Sequence, residues 1–454
     1  MEFLTGFEST YLPASDVDVL RLTRHDERWS DDLRLVRGLG LRRLRYPIPW
    51  HRIEATRGRY EWAWLDEVLT EMREHGLSPI VDLLHHTSYP RWLAGGFLDP
   101  AFGTTYPAFC AAFAARYRWV SEFTVFNEPL PTTLLCTEFG VWPPARRGQV
   151  AFYRMALAVG RAICTATAAI LAERPMARFI HVDTAEGHRA LDNTSEAFVR
   201  HLNQRRFLFH DLILGRIDDA HPLFERLRAY GGMTFADIDW FRRHAARIDV
   251  LGLDYYPHCE YQFHRSGAVC PSHAPSGFAA LARQYHARYN LPLMLTETNI
   301  RGYVSDRISW LKYMVEECES LVAAGVPLTG FCWFPVIDST DWDSLLRRPD
   351  GHIDPVGLYW LHGTALKRRG SELTRLYRGL AHGEISAADL PAYRFLPPVA
   401  EQLTGWRPRW DGWSWRETER GKPPRLIGPP GGETVIGQGV DAHGPVEDAP
   451  RASG

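Results

Sequence analysis

A chain of 454 residues has room for one large barrel or for about two to three ordinary domains. Its 45% hydrophobic and 23% charged residues fit a globular protein, and a formal net charge of −2 leaves no basic footprint for nucleic acid. Seven cysteines, odd in number and without a C-x-x-C pair, argue against a disulfide framework and for reduced thiols in a cytoplasmic protein.

The N-terminus has no basic n-region and no apolar h-region, and no window approaching 18 apolar residues is expected to span a membrane. Phe3 to Phe7 reads as a first strand, and Asp31 to Leu39 as a helix stopped by Gly40. Arg42 to Ile48 alternates and meets Pro49, which predicts a second strand. Trp62 to His75 is amphipathic and ends at Gly76. Leu77 to Leu84 predicts a third strand running into His85-His86, Tyr106 to Tyr117 a helix, and Phe123 to Phe126 a fourth strand. A long Ala-rich helix over Gln149 to Glu173 precedes a fifth strand, Arg178 to Asp183. Helices over Asn193–Leu214 and Thr234–His244 lead to a sixth strand, Ile248 to Tyr255. Pro275–Tyr289 is helical, Leu293–Glu297 a seventh strand, Asp306–Ala324 a helix ended by Gly325, and Leu328–Phe334 an eighth strand. Glu372–Leu380 is a last helix.

Eight strands alternating with helices predict an α/β fold, a (β/α)8 TIM barrel, with a doubly wound sheet as the runner-up. Polar residues recur at strand ends all along the chain, which suits a closed ring. The barrel is expected to occupy 1–382, followed by a C-terminal extension over 383–420. From 421 to 454 the chain is rich in Gly and Pro, with Gly-Pro-Pro-Gly-Gly at 428–432, and is expected to be disordered.

Two stretches carry chemistry. Phe123-Thr124-Val125-Phe126 runs into Asn127-Glu128-Pro129, and Pro129 cannot donate to a ladder, so Asn127 and Glu128 should stand at the carboxyl end of a strand. Pro292-Leu293-Met294-Leu295-Thr296-Glu297 has the same form. Catalytic groups of parallel barrels sit at that end. Either Glu alone is as readily a capping or salt-bridge group; a matched pair is not. The 16 Trp are numerous, and pyranose faces stack on aromatic rings, although most Trp serve as core. Among the histidines, His85-His86, His181 and His188 match no metal-ligand spacing.

Several of these stretches together resemble the retaining β-glycosidases of glycoside hydrolase family 1. Phe126-Asn127-Glu128-Pro129 matches the family's acid/base motif, and Leu295-Thr296-Glu297-Thr298-Asn299 looks like its nucleophile motif with Thr298 inserted. Arg45 to Ile53 resembles its second-strand signature. His85-His86 falls where the family has His-Trp, and Asp254-Tyr255-Tyr256 where it has Asn-Tyr-Tyr. Cys332-Trp333-Phe334 and Asp341-Trp342 resemble its eighth-strand segment. The resemblance covers roughly residues 3–380.

It implies a retaining β-glycosidase, β-glucosidase-like, working through a covalent glycosyl-enzyme, with Glu128 as acid/base and Glu297 as nucleophile. Arg45 and Tyr256 would hold Glu297. Asn127 would bind the hydroxyl beside the reacting carbon and His85 the glycone. Trp333 and Trp342 would offer stacking surfaces, and Asp341 would stand in for a glycone-reading Glu. Trp50, Trp92 and Trp142 read as core or rim. No metal or other cofactor is implied. The expected partner is a small-molecule or oligosaccharide glycoside, with no nucleic acid and no membrane; the oligomeric state is not legible. The family's Gln near the first strand is absent from Phe7-Glu8-Ser9-Thr10, and Asp254 replaces an Asn, so the glycone is expected to differ from ordinary glucose. A transglycosidase using the same intermediate, a non-catalytic carbohydrate-binding barrel, and a barrel with aldolase-like chemistry are the alternatives. The last lacks a strand-end Lys.

Overall fold

The computed structural model describes residues 1–265, 269–272 and 275–393, with three short strands beyond. All eight predicted strands are present: β1 (Glu2–Gly6), β2 (Arg43–Pro47), β3 (Ser78–Asp82), β4 (Glu122–Thr124), β5 (Arg178–Thr184), β6 (Val250–Asp254), β7 (Leu293–Glu297) and β8 (Leu328–Trp333). They form one closed parallel barrel in sequence order, with β8 returning to pair with β1. Helices cover it: α1 (His25–Gly38), α2 (Ala63–Glu74), α3 (Phe102–Arg116), α4 (Gln149–Glu173), α5 (Phe235–Arg243), α6 (Phe278–Tyr289), α7 (Val304–Ala323) and α8 (Glu372–Ala381). The doubly wound alternative falls because β1 and β8 share a ladder from Glu2–Gly330 to Thr5–Trp333.

Strand alternation sorts side chains into two cores. Leu4, Ile80, Ile180, Val182, Val250, Met294, Cys332 and Phe334 fill the barrel interior. The opposite faces join the larger core beneath the helices. Two glycines let the walls approach. A Cβ on Gly6 would lie 2.8 Å from the Phe334 ring, and one on Gly252 would lie 2.7 Å from Thr296. Both sit just under the carboxyl end, where the polar residues begin.

The expected helix 193–214 is two helices, Glu196–Arg205 and Leu208–Ile213. The chain breaks where Arg206 donates to the Glu186 carbonyl at 2.7 Å and to Gln284, which lays the second helix, buried throughout, on the barrel. Helix α4 also departs from expectation. By length and composition it could cross a membrane, with a window of mean hydropathy 1.8. Residues such as Phe152, Met155, Val159 and Ile163 are buried in the core beneath the helices.

Helix α8 ends at Ala381, and the chain after it packs on the barrel: Lys312 of α7 donates to the carbonyls of Ala387 and Leu390. Farther on, Ser414–Arg416, Arg425–Ile427 and Glu433–Val435 pair into an antiparallel sheet. The rest of the expected extension and Gly/Pro-rich tail lies outside the described residues.

Truncation in the interior layer should be costly. Ile80→Ala is expected to lose ~2–5 kcal/mol of stability in urea unfolding, because the barrel wall cannot collapse onto the void. A loss below about 1 kcal/mol would mean that this layer is not close-packed.

Candidate active site

Eight strand ends converge above the interior layer, and one cation ties four of them together. Arg45 on β2 is 1% exposed. Its guanidinium donates to Glu297 Oε1 at 2.5 Å, to Asp82 Oδ2 at 3.0 Å and to Asn127 Oδ1 at 2.6 Å. It also lies over the Phe334 ring, 5.2 Å from the centroid. A buried Arg needs such partners, and its planar fork suits several acceptors at once. Strands β2, β3, β4 and β7 are thereby tied through side chains at the end where the site lies.

Glu297 receives a second donor, the Tyr256 hydroxyl, at 2.7 Å on Oε2. Burial leaves its pKa raised above the ordinary value, and Arg45 and then His85 and Tyr256 offset only part of that rise. Glu128 has no such support. Burial, then Glu297, Asp254 and Asp183, push its pKa well above the ordinary carboxylate value, with Arg45 too weak to offset them. The two groups are thus driven apart in the order that chemistry with one acid and one carboxylate requires. Oxygen atoms of Glu128, Asp254 and Glu297 all lie within 4.8 Å of one another.

Asp254 is the third carboxyl of this cluster. Oδ1 accepts from the Thr296 hydroxyl at 2.6 Å, and Oδ2 is buried without a partner among the described residues. Burial and Glu297 hold its pKa well above the ordinary value. Three buried carboxyls facing one guanidinium cannot all ionise.

Asn127 and His85 lie where the sequence placed them. The Oδ1 of Asn127 is occupied by Arg45, and its buried Nδ2 has no partner among the described residues, a donor left free at the carboxyl end of β4. His85 Nδ1 donates to Asp82 Oδ2 at 2.8 Å, and Nε2 faces Glu8 Oε1 at 3.4 Å. Burial disfavours the imidazolium, but Glu8 and Asp82 outweigh it and raise the pKa to about 10. Glu8 shows the converse. Burial opposes its charge, yet His85 holds it down at about 2. The pair is an ion pair.

Two expected contacts are corrected. Trp333 is 0% exposed, and its indole donates to the Val356 carbonyl at 2.9 Å, so it offers no stacking face. Alternation is the reason: Cys332 and Phe334 point into the barrel, and Trp333 points to the helical layer. Phe334 is the aromatic that lies beside His85, with ring centroids 5.9 Å apart. Asp341 is also not a sugar reader. Its carboxylate accepts from the backbone of His352 at 2.8 Å and of Gly351 at 3.2 Å, which closes a loop. Trp342 does reach the site rim, packing on His86 at 5.8 Å and on Trp142 at 5.7 Å. Trp50 and Trp142 are core, as expected.

Sequence reasoning missed two residues. Glu8 had been noted only for not being Gln. His86 stands 3.5 Å from Glu128 Oε2 through Nε2, and its Nδ1 shares a hydrogen with Thr132 Oγ1 at 2.8 Å. Burial and the neighbouring His85 charge keep His86 neutral. The adjacency of His85 and His86 after a strand was the available signal.

A profile described as Glycosyl hydrolase family 1 matches residues 22–276, more than half of the chain. The matched span holds Arg45, His85, Asn127, Glu128 and Tyr256 and stops short of Glu297. Beta-glucosidase A of Thermotoga maritima is 22% identical over 380 residues, covering 76% of this chain and 83% of that protein. A galactolipid galactosyltransferase of Arabidopsis thaliana is 24% identical over 404 residues, covering 79% of this chain and 60% of that protein. A solved structure, beta-glucosidase from Thermotoga maritima in complex with azafagomine, superposes with a TM-score of 0.71 at 18% identity, covering 84% of this chain and 97% of that one.

Removing the ordering cation should destabilise the fold. Arg45→Met leaves Glu297 and Asp82 buried without it and is expected to cost ~3–5 kcal/mol in chemical denaturation at neutral pH. A variant as stable as the parent would contradict the clamp.

Proposed function

The chain belongs to glycosyl hydrolase family 1 and is a β-glucosidase-like glycoside hydrolase; from that premise we propose that it cleaves a β-O-glycosidic bond with retention, through a covalent glycosyl-enzyme. The observation that carries this reading is the spacing of Glu128 and Glu297, whose nearest carboxylate oxygens lie within 4.8 Å. An inverting pair needs room for a water, with carboxyls about 6.5–9.5 Å apart, whereas a retaining pair stands about 5–5.5 Å apart.

Glu297, held by Arg45 and Tyr256, attacks the anomeric carbon as its carboxylate. Glu128, whose pKa burial and the neighbouring carboxyls hold well above the ordinary value, gives its proton to the leaving oxygen. Water then enters on the same face. Glu128 takes a proton from it, the C–O bond to Glu297 breaks, and the sugar leaves with retained configuration. The free Nδ2 of Asn127 donates to the hydroxyl beside the reacting carbon, where contacts strengthen in the transition state. His85 binds the glycone, and Trp342 lines the rim of its entrance. The six described cysteines are buried free thiols, which suits a reducing, cytoplasmic setting.

Glycone choice rests on Glu8. A carboxylate accepts and does not donate, and Oε1 already accepts from Ser9 and Thr10, so a sugar hydroxyl that a Gln amide would have served finds no donor here. This supports a sugar other than ordinary glucose. A transglycosidase would use the same intermediate with a sugar hydroxyl replacing water. The likeness to a galactosyltransferase favours keeping that reading beside hydrolysis.

A 2-deoxy-2-fluoro glycoside is expected to label the peptide containing Glu297, and Glu297→Ala to be inactive with partial rescue by azide. Label on another residue refutes the assignment. Glu128→Gln should lower kcat by about 10²–10⁴ for poor leaving groups and far less for nitrophenolates. Activity should fall as pH drops through the pKa of Glu297 and as it rises through that of Glu128. Because Asp254 raises the pKa of Glu128, Asp254→Asn should move the alkaline limb of kcat/KM to lower pH; a limb that stays or moves up would show that Asp254 does not act on the acid. On a panel of nitrophenyl glycosides, glucoside should not be the best substrate.

A further inference from the structure

Outside the barrel wall, His181, Asp183 and His210 meet between β5 and the helix Leu208–Ile213. Ile180 and Val182 fill the barrel interior, so the alternate residues His181 and Asp183 point to the helical layer. One donor atom from each of the three side chains lies within 4.8 Å of the other two. All three are buried, and Asp183 and His210 are 0% exposed. Four of their polar atoms have no partner among the described residues: His181 Nε2, Asp183 Oδ2, and both ring nitrogens of His210. Buried polar groups are nearly always satisfied, and each one left alone costs about 1–3 kcal/mol. Unsatisfied atoms on all three side chains of one buried cluster point to something seated between them.

We propose that His181, Asp183 and His210 ligate a divalent transition-metal ion of the zinc class. Two imidazoles and one carboxylate suit such ions, and hard cations such as magnesium prefer all-oxygen sites. Asp183 binds as its carboxylate. Linear spacing hides the set, because His210 comes from a helix 27 residues beyond Asp183 in the sequence.

The role is structural. The Oδ1 of Asp183 accepts from the backbone of Thr184 at 3.0 Å and of Leu130 at 3.3 Å. Leu130 is the second residue of the helix Pro129–Cys136, which Glu128 precedes. An ion on Oδ2 would therefore fix, from behind the wall, the backbone that carries Glu128, without touching the sugar.

The full chain is expressed without a polyhistidine tag in zinc-supplemented medium, passed through gel filtration, and measured by inductively coupled plasma mass spectrometry. About one equivalent of metal per chain is expected. The double variant Asp183→Asn/His210→Gln should hold under about a tenth of that, while His188→Gln, outside the cluster, keeps it. If the double variant does not fold, the zinc X-ray absorption spectrum of the wild type decides, with two imidazoles expected at about 2.0–2.1 Å. Wild-type protein with under about a tenth of an equivalent from zinc, cobalt and manganese media alike overturns the proposal and leaves a buried water in the gap. So does a spectrum without imidazole scattering, or a double variant that keeps its metal.

Discussion

The guanidinium of Arg45 is the constraint on which the rest of the site depends. It is buried, permanently charged and shared among Glu297, Asp82 and Asn127. Each partner comes from the end of a different strand, so the electrostatics of the site rest on one side chain that ties those strand ends together. The reaction needs two nearby carboxyl groups in opposite protonation states. Burial alone would raise both. Arg45 breaks the symmetry by hydrogen-bonding Glu297 and leaving Glu128 to its like-charged neighbours.

A second ion pair extends the pattern toward the sugar. Glu8 and His85 keep each other charged in a place with little water, and Asp82 is shared between His85 and Arg45. The groups proposed to cleave and those proposed to recognise the sugar therefore belong to one network through Asp82. A substitution that changes the glycone reader also changes the field at Glu297, since His85 is among the charges that lower its pKa. Specificity and reactivity are not independent here.

Much of the fold was legible because a barrel repeats one simple rule. Each strand is a short apolar run, and each ends in polar residues, so Arg45, His85, Asn127, Glu128, Tyr256 and Glu297 could be placed before any coordinates. What failed, failed on orientation and on partners across the chain. Trp333 and Phe334 are neighbours in sequence, and only the β1–β8 register shows which one faces inward. Asp341 was assigned by spacing, but its carboxylate closes the Gly351–His352 turn, a contact no linear pattern reveals. Glu8 gains its meaning from His85, and His86 from Thr132 and Glu128, all far from them in sequence. No run of 18 apolar residues marks helix α4, yet its averaged hydropathy reaches the range of a membrane span, and much of that apolar surface is buried in the core.

Glu128 sits at φ 47°, in the left-handed region that side chains with a Cβ avoid. Its amide donates to the Val182 carbonyl at 3.1 Å, and Pro129 begins a helix directly after it, so the neighbouring strand and the helix hold the backbone there. The residue is thus conformationally expensive at the one position where the acid must stand. Stability and turnover pull in opposite directions at this site: a glycine would relax the backbone and abolish the acid. The proposed acid is thus carried on a backbone conformation that a residue without a Cβ would adopt more readily, so its placement costs the fold some stability.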